Sequence, residues 1–259
     1  MRALIVADLH YSLPQFDWLV NEATRFDLVV LAGDHLDLSS LVDGRAQSLV
    51  VQKYVELLRD RSCVVICSGN HDLDSRDEHG EKTARWVAGC RHDRVSSDGD
   101  TLLIDDILLT VCPWWDGPMA RERVGAQLAA AAARRKGHWI WVYHAPPREA
   151  QVSWTGARDA GDEALSGWIA QYRPDIVISG HIHQSPFVKG GSWVDRIGNT
   201  LLFNTGQHSG APPAHIMLDT SLREAFWMSS AGAQAIRLDE PITRPLPRLA
   251  RPPEWVIAG

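Results

Sequence analysis

Cysteine is scarce in this chain: Cys63, Cys67, Cys90 and Cys112 are the only four among 259 residues. Their spacing fits neither a zinc motif nor a redox motif. Cys63 and Cys67 fall in an apolar run and read as buried free thiols. A chain this long buries a full core without cross-links, as one large domain or two small ones. Long apolar runs are also missing. None reaches the ~20 residues of a membrane span. The opening "MRALIVADLH" has too short an apolar stretch for a secretion signal before it turns strand-like. The expected location is cytoplasmic, with no membrane partner. Nor is positive charge in excess. Lys and Arg number 26 against 32 Asp and Glu, for a net charge of −6, and the longest basic run is Arg134-Arg135-Lys136. Tracking a nucleic-acid backbone needs a row of cations, so long nucleic acid is disfavoured as a partner. Tyrosine and phenylalanine are few, at 4 and 5, whereas tryptophan reaches 11. Most of these indoles are expected in packing roles.

What the chain does have is a series of short apolar runs, each ending in polar residues: "ALIVAD" (3–8), "LVVLAG" (28–33), "CVVICSG" (63–69), "DILLTVCP" (106–113), "WIWVYHA" (139–145) and "DIVISGH" (175–181). Near-continuous Val/Ile/Leu runs of this length suit strands covered on both faces. Helical spacing marks 45–60, 120–137 and 162–174 between them, the second expected to stop at Gly137 and the third before Pro174. Strands alternating with helices predict an α/β layered fold. After residue 190 the pattern changes to short antiparallel strands, with a hairpin turn in "RIGNTL". The expected organisation is a domain over 1–240 and an extended tail over 241–259. That tail carries five prolines and three arginines, lying on the protein's own surface or serving an oligomer contact. The charged stretch 74–86 reads as a loop followed by a surface helix.

The run ends carry the chemistry. They finish in Asp8-Leu9-His10, in Gly33-Asp34 with Asp37 nearby, in Gly69-Asn70-His71-Asp72, in His144-Ala145-Pro146-Pro147 and in Gly180-His181-Ile182-His183. Five strands thus end in metal-ligand side chains, and sites of α/β sheets form beyond the carboxyl ends of strands. A strand alternates its side chains with period two, so His181 and His183 point to one side. Surface histidines in a turn explain that pair alone; five such ends together point to a shared two-metal site. Nitrogen and carboxylate donors suit manganese, iron or zinc, and two such ions clamp the attacking and leaving oxygens of an in-line displacement.

In their order, "DLH", "GDHLD", "GNHD", "YHAPP" and "GHIH" resemble the signature of the calcineurin-like metallophosphoesterases, a likeness running over about residues 3 to 206. The resemblance implies an α/β/β/α fold, a β-sandwich flanked by helices, and a pair of divalent or trivalent transition-metal ions. It implies that Asp8, His10 and His183 hold the first metal, that Asn70, His144 and His181 hold the second, and that Asp34 bridges them. His71 then contacts the phosphate and protonates or stabilises the leaving oxygen, Asp72 orients His71, and Asp37 supports the loop. A metal-bridging hydroxide is the implied nucleophile. The activity implied is hydrolysis of small phosphate esters, as a phosphodiesterase or a broad phosphoesterase. A nuclease of the same superfamily and a non-catalytic protein-binding scaffold are the alternatives.

Other residues are weaker candidates. Trp114 and Trp115 in "CPWWDGP" offer an apolar wall for a base or aryl group, or pack beneath the loop. Arg148 and Arg158 are placed to reach a phosphate. His208, in a Gly- and Pro-rich loop, is a candidate for facing the site. His35 is expected to point away from the metals, His79, His92 and His138 to be solvated, and His215 to be structural.

Overall fold

The computed structural model describes residues 1–257. Among these residues, fifteen strands and six helices follow the apolar runs. The seven-stranded sheet combines β1 (Arg2–Val6), β2 (Leu28–Ala32), β3 (Cys63–Cys67), β6 (Val95–Ser96), β13 (His215–Asp219), β14 (Glu224–Ser229) and β15 (Gly232–Arg237), in the order β15-β14-β13-β1-β2-β3-β6. The six-stranded sheet combines β7 (Thr101–Ile104), β8 (Ile107–Val111), β9 (His138–Val142), β10 (Ile176–Ser179), β11 (Val194–Ile197) and β12 (Thr200–Asn204), in the order β11-β12-β10-β9-β8-β7. β4 (Ser75–Arg76) and β5 (Lys82–Thr83) make a separate hairpin. The 74–86 stretch is therefore not a plain loop. It folds back on itself before the short helix α3 (Arg85–Gly89), which buries Trp86 and Val87.

The central strands run parallel in both sheets: β1, β2, β3 and β6 in one, and β8, β9, β10 and β12 in the other. Apart from the two-residue β6, these strands are mostly apolar runs with both faces covered, which is why they read as continuously apolar. The inner faces of the two sheets share one core, with Ile5, Val30 and Val65 from one side and Leu109, Val142 and Ile178 from the other. Helices α1 (Leu13–Glu22) and α2 (Gly44–Arg59) cover the outer face of the larger sheet. Helices α4 (Pro118–Arg134) and α5 (Glu163–Tyr172) cover the smaller one. The result is the expected α/β/β/α sandwich.

Several details differ from the sequence reading. Helix α1 is an additional element, opened by Pro14 in its first turn. Helix α4 ends at Arg134, three residues before Gly137; a Cβ on Gly137 would lie 2.5 Å from the Asp106 carbonyl oxygen, so that glycine serves a close chain crossing instead. Cys63 is exposed because it begins its strand, while Cys67 is buried. β12 pairs antiparallel with β11 but parallel with β10, so it extends the main sheet. The tail lies on its own chain. Arg244 pairs with Asp195 at 3.0 Å, the Leu249 amide donates to the Ala233 carbonyl at 2.8 Å, and a last short helix, α6 (Glu254–Ile257), buries Val256. Arg2 and Arg25 donate to the carbonyls of Trp255 and Val256. No helix among the described residues is long and apolar enough to cross a membrane.

Candidate metal centre

Because the parallel strands of both sheets point the same way, their carboxyl ends meet along one seam of the sandwich. Main-chain bonds knit the seam together. The Asp8 and His10 amides donate to the Gly33 and Asp34 carbonyls at 3.0 and 3.1 Å. The two sheets are joined there by the His181 amide, which donates to the Asp8 carboxylate at 3.0 Å, and by His144 Nδ1, which donates to the Ala32 carbonyl at 2.7 Å. The turns are tight. Asp8, His10, Tyr11, Asp34 and His181 all have φ between 42° and 65°, a region that non-glycine residues enter only when their surroundings force it. Glycine is required at two approaches. A Cβ on Gly69 would lie 2.2 Å from Asp34 Oδ1, and one on Gly180 would lie 2.4 Å from Asp8 Oδ2.

The side chains converge as two groups that share one member. Asp8, His10, Asp34 and His183 bring ligand atoms within 4.8 Å of one another, and so do Asp34, His144 and His181. His183 Nε2 is 3.1 Å from Asp8 Oδ1 and 3.1 Å from His10 Nε2, and His144 Nε2 is 3.1 Å from Asp34 Oδ2. Asp8, Asp34 and His144 are buried. One ligand atom on the second side, Asn70 Oδ1, is buried without a hydrogen-bond partner among the described residues. Buried polar atoms rarely go unpaired, and an amide oxygen left over in the loop that follows β3 fits a cation. Six of the seven predicted ligand positions, Asp8, His10, Asp34, His144, His181 and His183, thus gather at one place, in a donor set that could hold a metal.

The electrostatics agree. Burial opposes a proton on His144, but the Asp34 and Asp8 carboxylates outweigh it and raise its pKa to about 9. Burial raises Asp34, but the His144 charge and hydrogen bond and the His71 amide outweigh it and hold the carboxyl far down. The carboxylates therefore ask for positive charge at His144 Nε2, where a proton and a metal ion compete. Burial and the neighbouring His144 lower His181 to about 4, and burial lowers His10. Both imidazoles are held neutral, the form that ligates.

His71 sits at the mouth of the cluster, partly exposed. Its amide donates to Asp34 Oδ1 at 2.8 Å, its Nε2 lies 3.9 Å from Asp34 Oδ2, and its ring meets the His10 ring edge-on at 4.6 Å. Asp72 does not orient it, contrary to the sequence reading. The Asp72 carboxylate turns inward and accepts the amides of Gly69, His35 and Leu36 at 2.8, 2.9 and 3.2 Å, and His71 Nδ1 has no partner among the described residues. The physical reason is local. Asn70–Asp72 form a 3-10 turn, in which consecutive side chains diverge. Asp72 thus ties the Asp34 loop to the Asn70 loop.

The weaker candidates divide. Trp114 lines the centre, its ring 5.3 Å from that of His181 and 5.8 Å from that of His144. Trp115 packs beneath the loop, stacked on Tyr143 at 3.9 Å. Arg148 faces Glu163 at 3.3 Å on the surface, and Arg158 is exposed. His208 contacts Phe187 and the Ser230 amide rather than the cluster, although the Gln207 amide beside it donates to the His183 carbonyl at 3.1 Å. His35 turns away and donates to the Cys67 carbonyl at 2.9 Å. His215 is buried against Trp18, and His79, His92 and His138 are exposed. Asp37 braces its loop by accepting from Ser39. Sequence reasoning missed Ser68, whose amide donates to Asp98 at 2.9 Å and whose hydroxyl accepts the Trp114 amide at 2.9 Å. It couples the Asn70 loop to the tryptophan loop, and nothing in the sequence singles it out. Asn204 was also missed. Its amide donates to the Ile182 and Val152 carbonyls at 3.1 and 2.9 Å and steadies the histidine loop.

Two facing sheets that deliver carboxylates and imidazoles to one seam define an α/β metal-binding class. The family follows from the sequence: a model of the calcineurin-like phosphoesterases matches residues 1–185, and the chain belongs to that family. No curated protein matches it. Among solved structures it is similar to TT1561 of Thermus thermophilus, with 12% identity over 92% of this chain and 98% of that one and a TM-score of 0.59. It is also similar to purple acid phosphatase PPD1 of yellow lupin (Lupinus luteus) seeds, with 12% identity over 93% of this chain and 52% of that one and a TM-score of 0.50. At such identities the likeness shows a shared fold alone.

Proposed function

We propose that the protein is a binuclear metal-dependent hydrolase of small phosphate esters. The observation that carries this reading is the Asp34 carboxylate, which belongs to both ligand groups at once. Asp8, His10 and His183 would hold one ion, and Asn70, His144 and His181 the other, with Asp34 common to both. When bound, such ions supply Lewis acidity and lower the pKa of water toward neutrality.

The chain's own residues do the rest. The φ-strained turns and the Gly69 and Gly180 contacts hold the carboxylates in place before substrate arrives. His144 Nδ1 donates to a main-chain carbonyl, which leaves Nε2 free as the ligand atom. His71, at the open side, would hydrogen-bond a phosphoryl oxygen and pass a proton to the leaving oxygen. Trp114 offers an apolar wall beside His181. The tail arginine Arg244 is occupied by Asp195 and by the Val194 carbonyl. That occupancy supports small esters over a long nucleic acid.

The deciding experiment titrates manganese, iron and zinc into chelator-stripped protein. Hydrolysis of bis(p-nitrophenyl) phosphate is followed alongside stoichiometry. Two ions per chain with metal-dependent turnover is the expected result; a single tight ion or no turnover with any metal refutes the reading.

A further inference from the structure

The loop after the GDHLD motif keeps three large apolar side chains in water. Leu38, Leu41 and Val42 are 68%, 105% and 42% exposed. Single exposed leucines need no explanation, but three on five residues form a patch, and this patch is held in place. Gln47 of α2 is buried. Its Oε1 accepts the Asp37 amide at 2.8 Å, while its Nε2 donates to the carbonyls of Asp37 and Val42 at 2.9 and 2.8 Å. One side chain therefore ties both ends of the loop together. Ser39 closes the turn on Asp37, and Asp43 caps α2 at the Arg45 amide. A buried amide spent on fixing an exposed apolar crest points to a partner for the crest.

The crest also follows the centre closely along the chain. Leu38 stands four residues after Asp34, so their Cα atoms are at most ~14 Å apart. No residue from Leu38 to Val42 is charged, so the crest offers no charge to a phosphate or headgroup. Its exposed side chains Leu38, Leu41 and Val42 offer apolar area close in the chain to a site that itself suits phosphate.

We propose that the crest receives the apolar arm of an amphiphilic phosphoester, an alkyl or acyl chain long enough to reach from the Asp34 centre to Leu41. This rests on the phosphoesterase reading, and it names the substrate class of that same site.

The test uses the manganese-loaded full chain and two monomeric diesters, methyl and octyl p-nitrophenyl phosphate, below their aggregation limits. A buried methylene contributes up to ~0.8 kcal/mol, about fourfold. With the chain only partly covered, kcat/KM for the octyl ester is expected to exceed that for the methyl ester by ~10-fold or more. The octyl-to-methyl ratio should fall toward 1 in Leu38→Ser/Leu41→Ser/Val42→Ser. It should fall by part of that amount in Leu41→Ser, which keeps the test decisive if the triple variant does not fold. Leu222→Ser, at an exposed turn on the opposite end of the sheet, should keep the wild-type ratio. A wild-type ratio near 1 with good methyl-ester turnover overturns this inference and leaves the phosphoesterase reading standing. No turnover of either ester overturns both. A ratio unaffected by the loop variants overturns the assignment to this crest. So does a crest-dependent dimer, or crest-dependent binding to phosphatidylcholine vesicles, without any gain from chain length.

Discussion

Gly69→Ala tests the centre through a single methyl group. Gly69 has φ −111° and ψ −174°, ordinary extended backbone that alanine adopts without strain. All the effect must therefore come from the added carbon, which would lie 2.2 Å from Asp34 Oδ1 and 2.5 Å from the Asp34 nitrogen. Ordinary contact needs ~3.5 Å, so roughly 1 Å must open between the two loops. The flexible part of that contact is the Asp34 carboxylate, and moving it breaks the 2.8 Å bond from the His71 amide. Overpacking of this kind costs ~1–3 kcal/mol. Misplacing a reacting constellation by ~1 Å costs about 10²-fold in rate. In chelator, the melting temperature should fall by only a few degrees. Metal titration by calorimetry should show both ions weakened together, and diester hydrolysis should fall ~10²-fold. Gly44→Ala, where an added carbon meets nothing within 4 Å, is the control. If Gly69→Ala binds both ions and turns over like wild type, Asp34 does not serve the two groups jointly.

Other expectations follow from the same geometry. Asp34→Ala should abolish tight binding of both ions, whereas Asp8→Ala should weaken mainly the ion held with His10 and His183; manganese titration of each variant separates these. His71→Ala should keep both ions and lose ~10²–10⁴-fold in turnover. Its deficit should shrink for nitrophenolate leaving groups, and equal losses for good and poor leaving groups would show an electrostatic role instead. Burial lowers the pKa of His215 to about 4, below the ordinary 6.5. The unfolded chain then takes up the proton first, so His215 costs no stability above pH 6.5 and costs progressively more as pH falls toward 4, up to ~3 kcal/mol. Denaturant unfolding of wild type and His215→Gln over that window should show a shallower acid loss in the variant, and parallel curves would contradict the account. Gly167→Ala in the interior of α5, with nothing within 4 Å, should stabilise the fold by ~0.5–1 kcal/mol, read as a small rise in melting temperature.

The strand ends were legible because period, composition and terminal polar residues all marked the same places. Val29 to Leu31 and Val64 to Ile66 are covered on both faces, so their runs are unbroken in the sequence. The ligand residues follow within a few positions, where a parallel strand must release its chain. Helix α1 was hidden because it is only ten residues long, has Pro at its start and has no side-chain cap. The β4–β5 hairpin was hidden because neither two-residue strand makes an apolar pattern. The role of Asp72 was misread for a different reason. Adjacency in sequence suggested service to His71, while the 3-10 turn sends the carboxylate to the amides of His35 and Leu36, 37 and 36 positions away. Such long-range main-chain partners leave no local trace. The tail's attachments, from Arg244 to Asp195 and from Leu249 to Ala233, are unreadable for the same reason.

The position of β1 between β2 and β13 bears on how the chain is assembled in time. Its Ile5 lies opposite Ile216, so the middle of the larger sheet stays open on one side until most of the polypeptide has been made. A ribosome-bound chain can supply Asp8, Asp34 and Asn70 early, but His144, His181 and His183 arrive on the second sheet much later. Pairings this distant in sequence close slowly, because the loop entropy must be met before the contacts form. An ion present during synthesis would meet an incomplete, carboxylate-rich half-site first and be trapped only when the sheets close. Metal supplied during refolding should therefore change the rate of the last, sheet-docking phase more than the early formation of secondary structure.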